Sequence, residues 1–289
     1  MSVAARRFFA RAGGLAAGGA LLLVAFVYAV SEWRIRRSYE APLVPPAAAA
    51  PADPVAGEHM AKLLGCWEGC HGRRGEGGTE SIEGIVRHTA PTLSQVLPRY
   101  SDAELARLIR YGVKRDGRSA VGMPTSTFWA LGDADLANVI AHLRRQPESP
   151  PVPRQLELTW RGRWALATGA WKVSARQVDR TLPRWGELPR RTPYERGRYL
   201  ASVICSECHG VDFQGTSLEG APSLAVVGAY GRDAFRALIL TNTAIGGRRI
   251  EPMAWTPAAG FTDGEISDLY AFLRAYHHLD RDPEGEPLR

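Results

Sequence analysis

The stretch YSDAELARLIRYGVKRDGRSAVGMPTSTFWALGDADLANVIAHLR (100–144) lies over YGRDAFRALILTNTAIGGRRIEPMAWTPAAGFTDGEISDLYAFLR (230–274) without a gap, each position i falling on i+130. Tyr100 meets Tyr230, Met123 meets Met253, Asp133 meets Asp263, and Leu143-Arg144 meets Leu273-Arg274. Leu105, Leu108 and Ile109 fall on Phe235, Leu238 and Ile239. A chain that repeats itself in this way folds as two copies of one unit, so every element must make sense twice.

Each copy reads as helical. Leu136, Val139, Ile140 and Leu143 recur at i, i+3, i+4 and i+7, and Ile266, Leu269, Tyr270 and Leu273 repeat that stripe. Ser101 with Glu104, and Thr262 with Glu265, have capping-box spacing. A further helix is expected before each cysteine pair, over 57–65 and 195–204. No stretch in either copy alternates as a strand, so the expected fold class is all-α. Units of about 80–95 residues have little core of their own, and a large buried cofactor would supply the missing apolar surface.

All four cysteines fall in two close pairs, Cys66 with Cys70 and Cys205 with Cys208, and His71 and His209 directly follow the second member of each. Disulfides are one explanation in an oxidising compartment, but they give no reason for the adjacent histidine. Zinc would ask for four Cys/His ligands, whereas each unit offers two cysteines and one nearby histidine. Covalent haem explains every part. Two thiols add to the vinyl groups, the adjacent histidine ligates iron, and a distant methionine sulfur closes the sixth position. Met123 follows His71 at i+52, and Met253 follows His209 at i+44. Met60 aligns with Leu200 and reads as a core residue. His59, His88, His142, His277 and His278 read as surface or core residues, with His88 set apart by its place in the loop peculiar to copy one, GRRGEGGTESIEGIVRHTA (72–90).

Residues 12–30 are 19 uncharged, mostly apolar residues flanked by Arg6, Arg7 and Arg11 on one side and Arg34, Arg36 and Arg37 on the other. At 1.5 Å per residue they reach roughly 28 Å, close to the hydrocarbon thickness of a bilayer. A cleaved signal peptide ending near Val27-Tyr28-Ala29 is the competing reading, but its apolar region would be shorter. The Pro/Ala-rich APLVPPAAAAPADPVAG (41–57) reads as an extended tether that lets a soluble head search the membrane surface.

Charge is uneven. Residues 150–199 carry 11 basic against 4 acidic side chains, and residues 200–289 carry 7 against 12. With no recognition motif beside it, this charge does not describe a nucleic-acid-binding face. It suits neutralisation of haem propionates and the acidic second copy, or a docking face for an acidic partner or a lipid surface. The same region holds four indoles, Trp160, Trp164, Trp171 and Trp185, so it is expected to be ordered and packed across both units.

With these residues in view, the repeats resemble class I cytochrome c domains, and the whole chain resembles membrane-anchored dihaem cytochromes c. ERGRYLASVICSECHG and FTDGEISDLYAFLRAY are similar to haem domains of the cytochrome subunits of periplasmic dehydrogenases and respiratory complexes. The resemblance implies two covalently bound haem c groups. It makes Cys66, Cys70, Cys205 and Cys208 the thioether cysteines, and His71, Met123, His209 and Met253 the iron ligands. The chain departs from the pattern at Cys66–Cys70, where three residues intervene rather than two. His71 still follows Cys70 directly, so Trp67-Glu68-Gly69 is expected to bulge and the Cys66 bond is the one affected.

The expected organisation is a transmembrane anchor (1–37), tether (38–56), cytochrome c domain (57–147), Trp-rich connecting segment (148–193), second cytochrome c domain (194–280) and tail (281–289). Because c-type haem is attached outside the bacterial inner membrane, the N-terminus is expected in the cytoplasm and the haem units in the periplasm. Both irons would be six-coordinate. The expected role is therefore single-electron transfer rather than enzymatic turnover, between a quinol-oxidising complex, a dehydrogenase or a terminal oxidase. The competing roles are a dihaem peroxidase or thiosulfate-oxidising cytochrome, which needs a displaceable iron ligand, and an electron-carrying subunit fixed in a larger respiratory complex.

Overall fold

The computed structural model describes residues 3–47, 50–216, 220–250, 253 and 260–279. The expected tail, 281–289, and the side chains of His277 and His278 lie outside them. Helix α1 (Val3–Arg36) contains a stretch long and apolar enough to cross a membrane, Arg11–Arg36. After it come α2 (Pro54–Leu63), strands β1 (Gly78–Ile82) and β2 (Val86–Ala90), and helices α3 (Leu93–Val96), α4 (Asp102–Tyr111), α5 (Thr125–Phe128) and α6 (Asp133–Leu143). Strand β3 (Leu156–Leu158) and α7 (Trp160–Thr168) lead to α8 (Pro193–Ile204), α9 (Ser206–His209), α10 (Arg232–Thr241) and α11 (Asp263–Leu279).

The repeat has a physical counterpart in two helix crossings. α2 packs on α6 through Gly57, where an added Cβ would sit 1.9 Å from the Asn138 carbonyl oxygen. α8 packs on α11 through Gly197, where it would sit 1.9 Å from the Asp268 carbonyl oxygen. Asn138 and Asp268 are equivalent positions of the repeat, so the two crossings meet at the same place and both need a residue without a side chain. Capping boxes at Ser101 and Thr192 start α4 and α8, and Thr262 accepts from the Glu265 N–H ahead of α11.

The two units are not beads on a string. Their apolar residues form one continuous cluster, from Leu63, Leu136 and Val139 to Val203, Phe235 and Leu269. Buried Ser206 and Thr127 are hydrogen-bonded at 3.1 Å, Tyr199 donates to Asp135 at 2.6 Å, and His59 pairs with Glu265 at 2.7 Å. The connecting segment adds a clamp. Trp185 packs against the shared core with the Arg198 guanidinium 4.0 Å from its ring, and Trp129 donates to the Leu182 carbonyl at 2.9 Å.

The all-α expectation needs a correction, because β1, β2 and β3 form a small antiparallel sheet. Ile82 pairs with Val86 across the hairpin, and Val86 pairs with Leu158 on the outer strand. Along β2, Val86, His88 and Ala90 are buried while Arg87 is exposed, the alternation of a strand with one covered face. The third strand comes from the connecting segment, beyond four intervening helices, so no local pattern could announce the sheet.

The expected tether also proves to be a strap. The Tyr39 N–H donates to the Gly117 carbonyl at 2.9 Å, and Arg180 donates to the Glu40 carbonyl at 2.8 Å. The Ala47 N–H donates to Asp133 at 3.1 Å, and the Asp53 N–H donates to Asn138 at 2.7 Å. Proline removes backbone donors and keeps this segment extended, which suits it to lie along a surface held by a few long-range bonds.

Candidate functional site

In each unit the cysteine pair follows directly on a helix that belongs to the glycine crossing. In the second unit Ser206–His209 is a short α-helical turn. In the first, Cys66–His71 winds as a π-helix. A π turn closes i→i+5 bonds instead of i→i+4 and takes in one residue more, so the extra residue between Cys66 and Cys70 is absorbed without displacing His71 from Cys70. Both turns end on a glycine with nearly the same dihedrals, Gly72 at φ 70°, ψ 163° and Gly210 at φ 81°, ψ 155°. That region is essentially closed to residues with a side chain.

The histidines are oriented alike. His71 Nδ1 donates to the Pro91 carbonyl at 3.1 Å, and His209 Nδ1 donates to the Pro222 carbonyl at 2.7 Å. A carbonyl only accepts, so each bond puts the ring proton on Nδ1 and leaves the Nε2 lone pair available to a metal. The prolines belong to a second repeated string, Ala90-Pro91-Thr92-Leu93 and Ala221-Pro222-Ser223-Leu224, in which position i falls on i+131 rather than i+130. The sequence reading missed it because the ungapped alignment begins only at Tyr100. Similarly, the Gly77 N–H donates to the His71 carbonyl at 2.8 Å, and the Gly215 N–H to the His209 carbonyl at 2.7 Å.

Burial holds both histidines below their usual pKa, so each ring is neutral near pH 7. Burial also pushes Cys66, Cys70 and Cys205 up to about 12. Such thiols are protonated near neutrality. None of the four cysteines is in a disulfide, and among the described residues no three His, Cys, Asp or Glu side chains converge as a chelating site would. Met123 and Met253 are both partly buried against the shared core, as is Met60 on α2. Paired thiols outside any disulfide, a neutral imidazole with its proton on Nδ1 and a partly buried thioether are a donor set that fits a covalently held haem.

The two cysteine motifs are neighbours. Glu207, inside the second, adds its charge to the rise of both the Cys66 and Cys70 thiols, after burial itself. Of the other histidines, His59 is spent on Glu265, and His142 lies 3.1 Å from the Gln146 side chain. His88 differs. It is buried on β2, its Nδ1 has no hydrogen-bond partner, and its ring lies against Gly122, the residue before Met123. Its proximity also contributes to the lowered pKa of His71.

No curated protein matches the chain. The cytochrome c family does match residues 194–276, the stretch that begins at α8, carries Cys205, Cys208 and His209, and ends in α11, and that unit is a cytochrome c domain.

Proposed function

We propose that the chain is a membrane-anchored dihaem c-type cytochrome that passes single electrons between redox partners on the outer face of a bacterial inner membrane. Those partners are a quinol-oxidising complex, a dehydrogenase or a terminal oxidase. The observation that carries this reading is the recurrence, in both units, of a histidine behind a cysteine pair with Nδ1 held on a proline carbonyl. Haem c, when bound, supplies a one-electron ferric/ferrous couple. Cys66 and Cys70 would hold one group and Cys205 and Cys208 the other. His71 and His209 would present Nε2 to the iron, and Met123 and Met253 would offer it their thioether sulfurs. The proline carbonyls fix the ring orientation and raise ligand basicity. The shared core excludes water, and the direct packing of α8 and α9 against unit one supports transfer of electrons within the chain.

A pyridine haemochrome spectrum combined with the intact mass of the purified chain tests this directly. Two haems per chain are expected. One haem, carried by residues 194–276, would leave a monohaem cytochrome and sink the dihaem reading.

A further inference from the structure

The basic, Trp-rich connecting segment finds its use at the end of α1. In the apolar part of α1, Leu15, Leu21, Leu22 and Phe26 are exposed, as a membrane-facing helix would have them, but Val27 and Ser31 are buried. What covers them is α7. Arg163 stacks 4.0 Å over the Tyr28 ring and bonds to Ser31 at 3.0 Å and to Glu32 at 2.9 Å, while Arg34 donates to the Leu166 carbonyl. Buried Gly162, Ala165 and Leu166 turn inward. Trp160 and Trp164, one turn apart, remain 48% and 44% exposed. α7 therefore stands level with the point where the apolar stretch of α1 gives way to charge. At that level an indole sits comfortably among lipid headgroups, its ring against the acyl boundary and its N–H toward water.

At the C-terminal end of α7 is a cavity of about 250 Å³ lined by Arg34, Lys172 and Arg176 together with Leu166 and Trp171. No acidic side chain lines it. Three cations around one cavity match a phosphate headgroup.

We propose that the α7 face lies in the headgroup layer of the bilayer crossed by α1, with Trp160 and Trp164 in the interface and an anionic phospholipid phosphate in the Arg34–Lys172–Arg176 cavity. This rests on the reading of α1 as a retained anchor. The head is then docked in one orientation, and a partner must meet it at a fixed height above the membrane.

The test is photo-crosslinking of the full-length holoprotein in nanodiscs of phosphatidylcholine and phosphatidylglycerol, with a benzophenone amino acid at position 22, 164 or 148. Positions 22 and 164 are expected to give phospholipid adducts by mass, and position 148, on exposed Glu148, none. An adduct at 22 without one at 164 overturns the docking and leaves the anchor standing; no adduct at 22 overturns the anchor reading and the docking with it. In a second arm, the double substitution Lys172→Glu/Arg176→Glu is expected to lower the adduct yield at 164 severalfold in phosphatidylglycerol discs, with little change in pure phosphatidylcholine. An equal yield in both overturns the phosphate site.

Discussion

Between His209 and Pro222 the chain takes 13 residues; between His71 and Pro91 it takes 20. The longer path leaves the bond from Nδ1 to the proline carbonyl in place and spends the extra residues on the β1–β2 hairpin, whose inner face carries His88 and Val86. That face joins Leu166, Trp171 and Val173 in a second small core, with Ile35 of α1 packed against it. The two units thus keep the same helix crossing and the same histidine geometry, and differ in what is added at the rim. Unit one carries the hairpin, the strap and the contacts to α1. An insertion is tolerated where it leaves the packed helices alone, and here it gives unit one a side that unit two lacks.

The comparison is broken or sharpened most strongly at the histidines. On the dihaem proposal, replacing His71 or His209 by Ala should remove an iron donor from one unit and leave the other unchanged, read as the loss of half of the low-spin haem spectrum in either variant. If His71→Ala leaves the spectrum intact, the equivalence of the units fails.

Next come the helix crossings. Gly57→Ala and Gly197→Ala each push a methyl group into a carbonyl oxygen. Each should cost about 1–3 kcal/mol or more in chemical denaturation. Unequal costs would show that one crossing yields more easily than the other.

A third test concerns equivalent aspartates in unlike surroundings. Asp133 is 20% exposed and takes Arg110 at 2.8 Å and Arg184 at 2.6 Å, whereas Asp263 is 78% exposed and takes Arg236 at 2.9 Å. Asp133→Asn strands the buried Arg110 guanidinium and should cost roughly 2–3 kcal/mol, while Asp263→Asn should cost about 0.5 kcal/mol or less. The Asp133 carboxyl is held below its usual pKa: burial works against this, and the Arg184 and Arg110 bonds outweigh it. Its contribution is therefore fully present above the unfolded-state value, about 4, and is lost as pH falls through the lower folded value.

The smallest effect belongs to His88. Burial lowers its pKa, so the unfolded chain takes up a proton that the folded chain refuses. Stability should fall as pH drops below about 6.5, and His88→Leu should flatten that slope in a denaturation series. An unchanged slope would remove His88 from the account.

The cysteine–histidine pairs, the repeated methionines and the amphipathic stripes are legible because each is a local pattern with a fixed period or spacing. The stripe at Leu136, Val139 and Ile140 is buried as its helical period requires. The hairpin is harder to see. Its second strand, Val86–Ala90, is short, and its outer partner, β3, lies on the far side of α3 to α6. The strap escapes a sequence reading for a related reason. Proline and alanine specify extension, but not whether an extended chain floats or is pinned. That is decided by Gly117, Asp133 and Asn138, each far along the chain from the backbone group it holds.

By itself the sequence determined the repeat, the helices, the cysteine–histidine pairs and the apolar stretch of α1, because these follow from residue chemistry at short range. Only the tertiary structure decided that a π turn absorbs the extra residue before Cys70, that the units share one core, and that α7 buttresses α1. Each of these depends on which distant surfaces bury one another, and burial is a property of the assembled chain rather than of any segment.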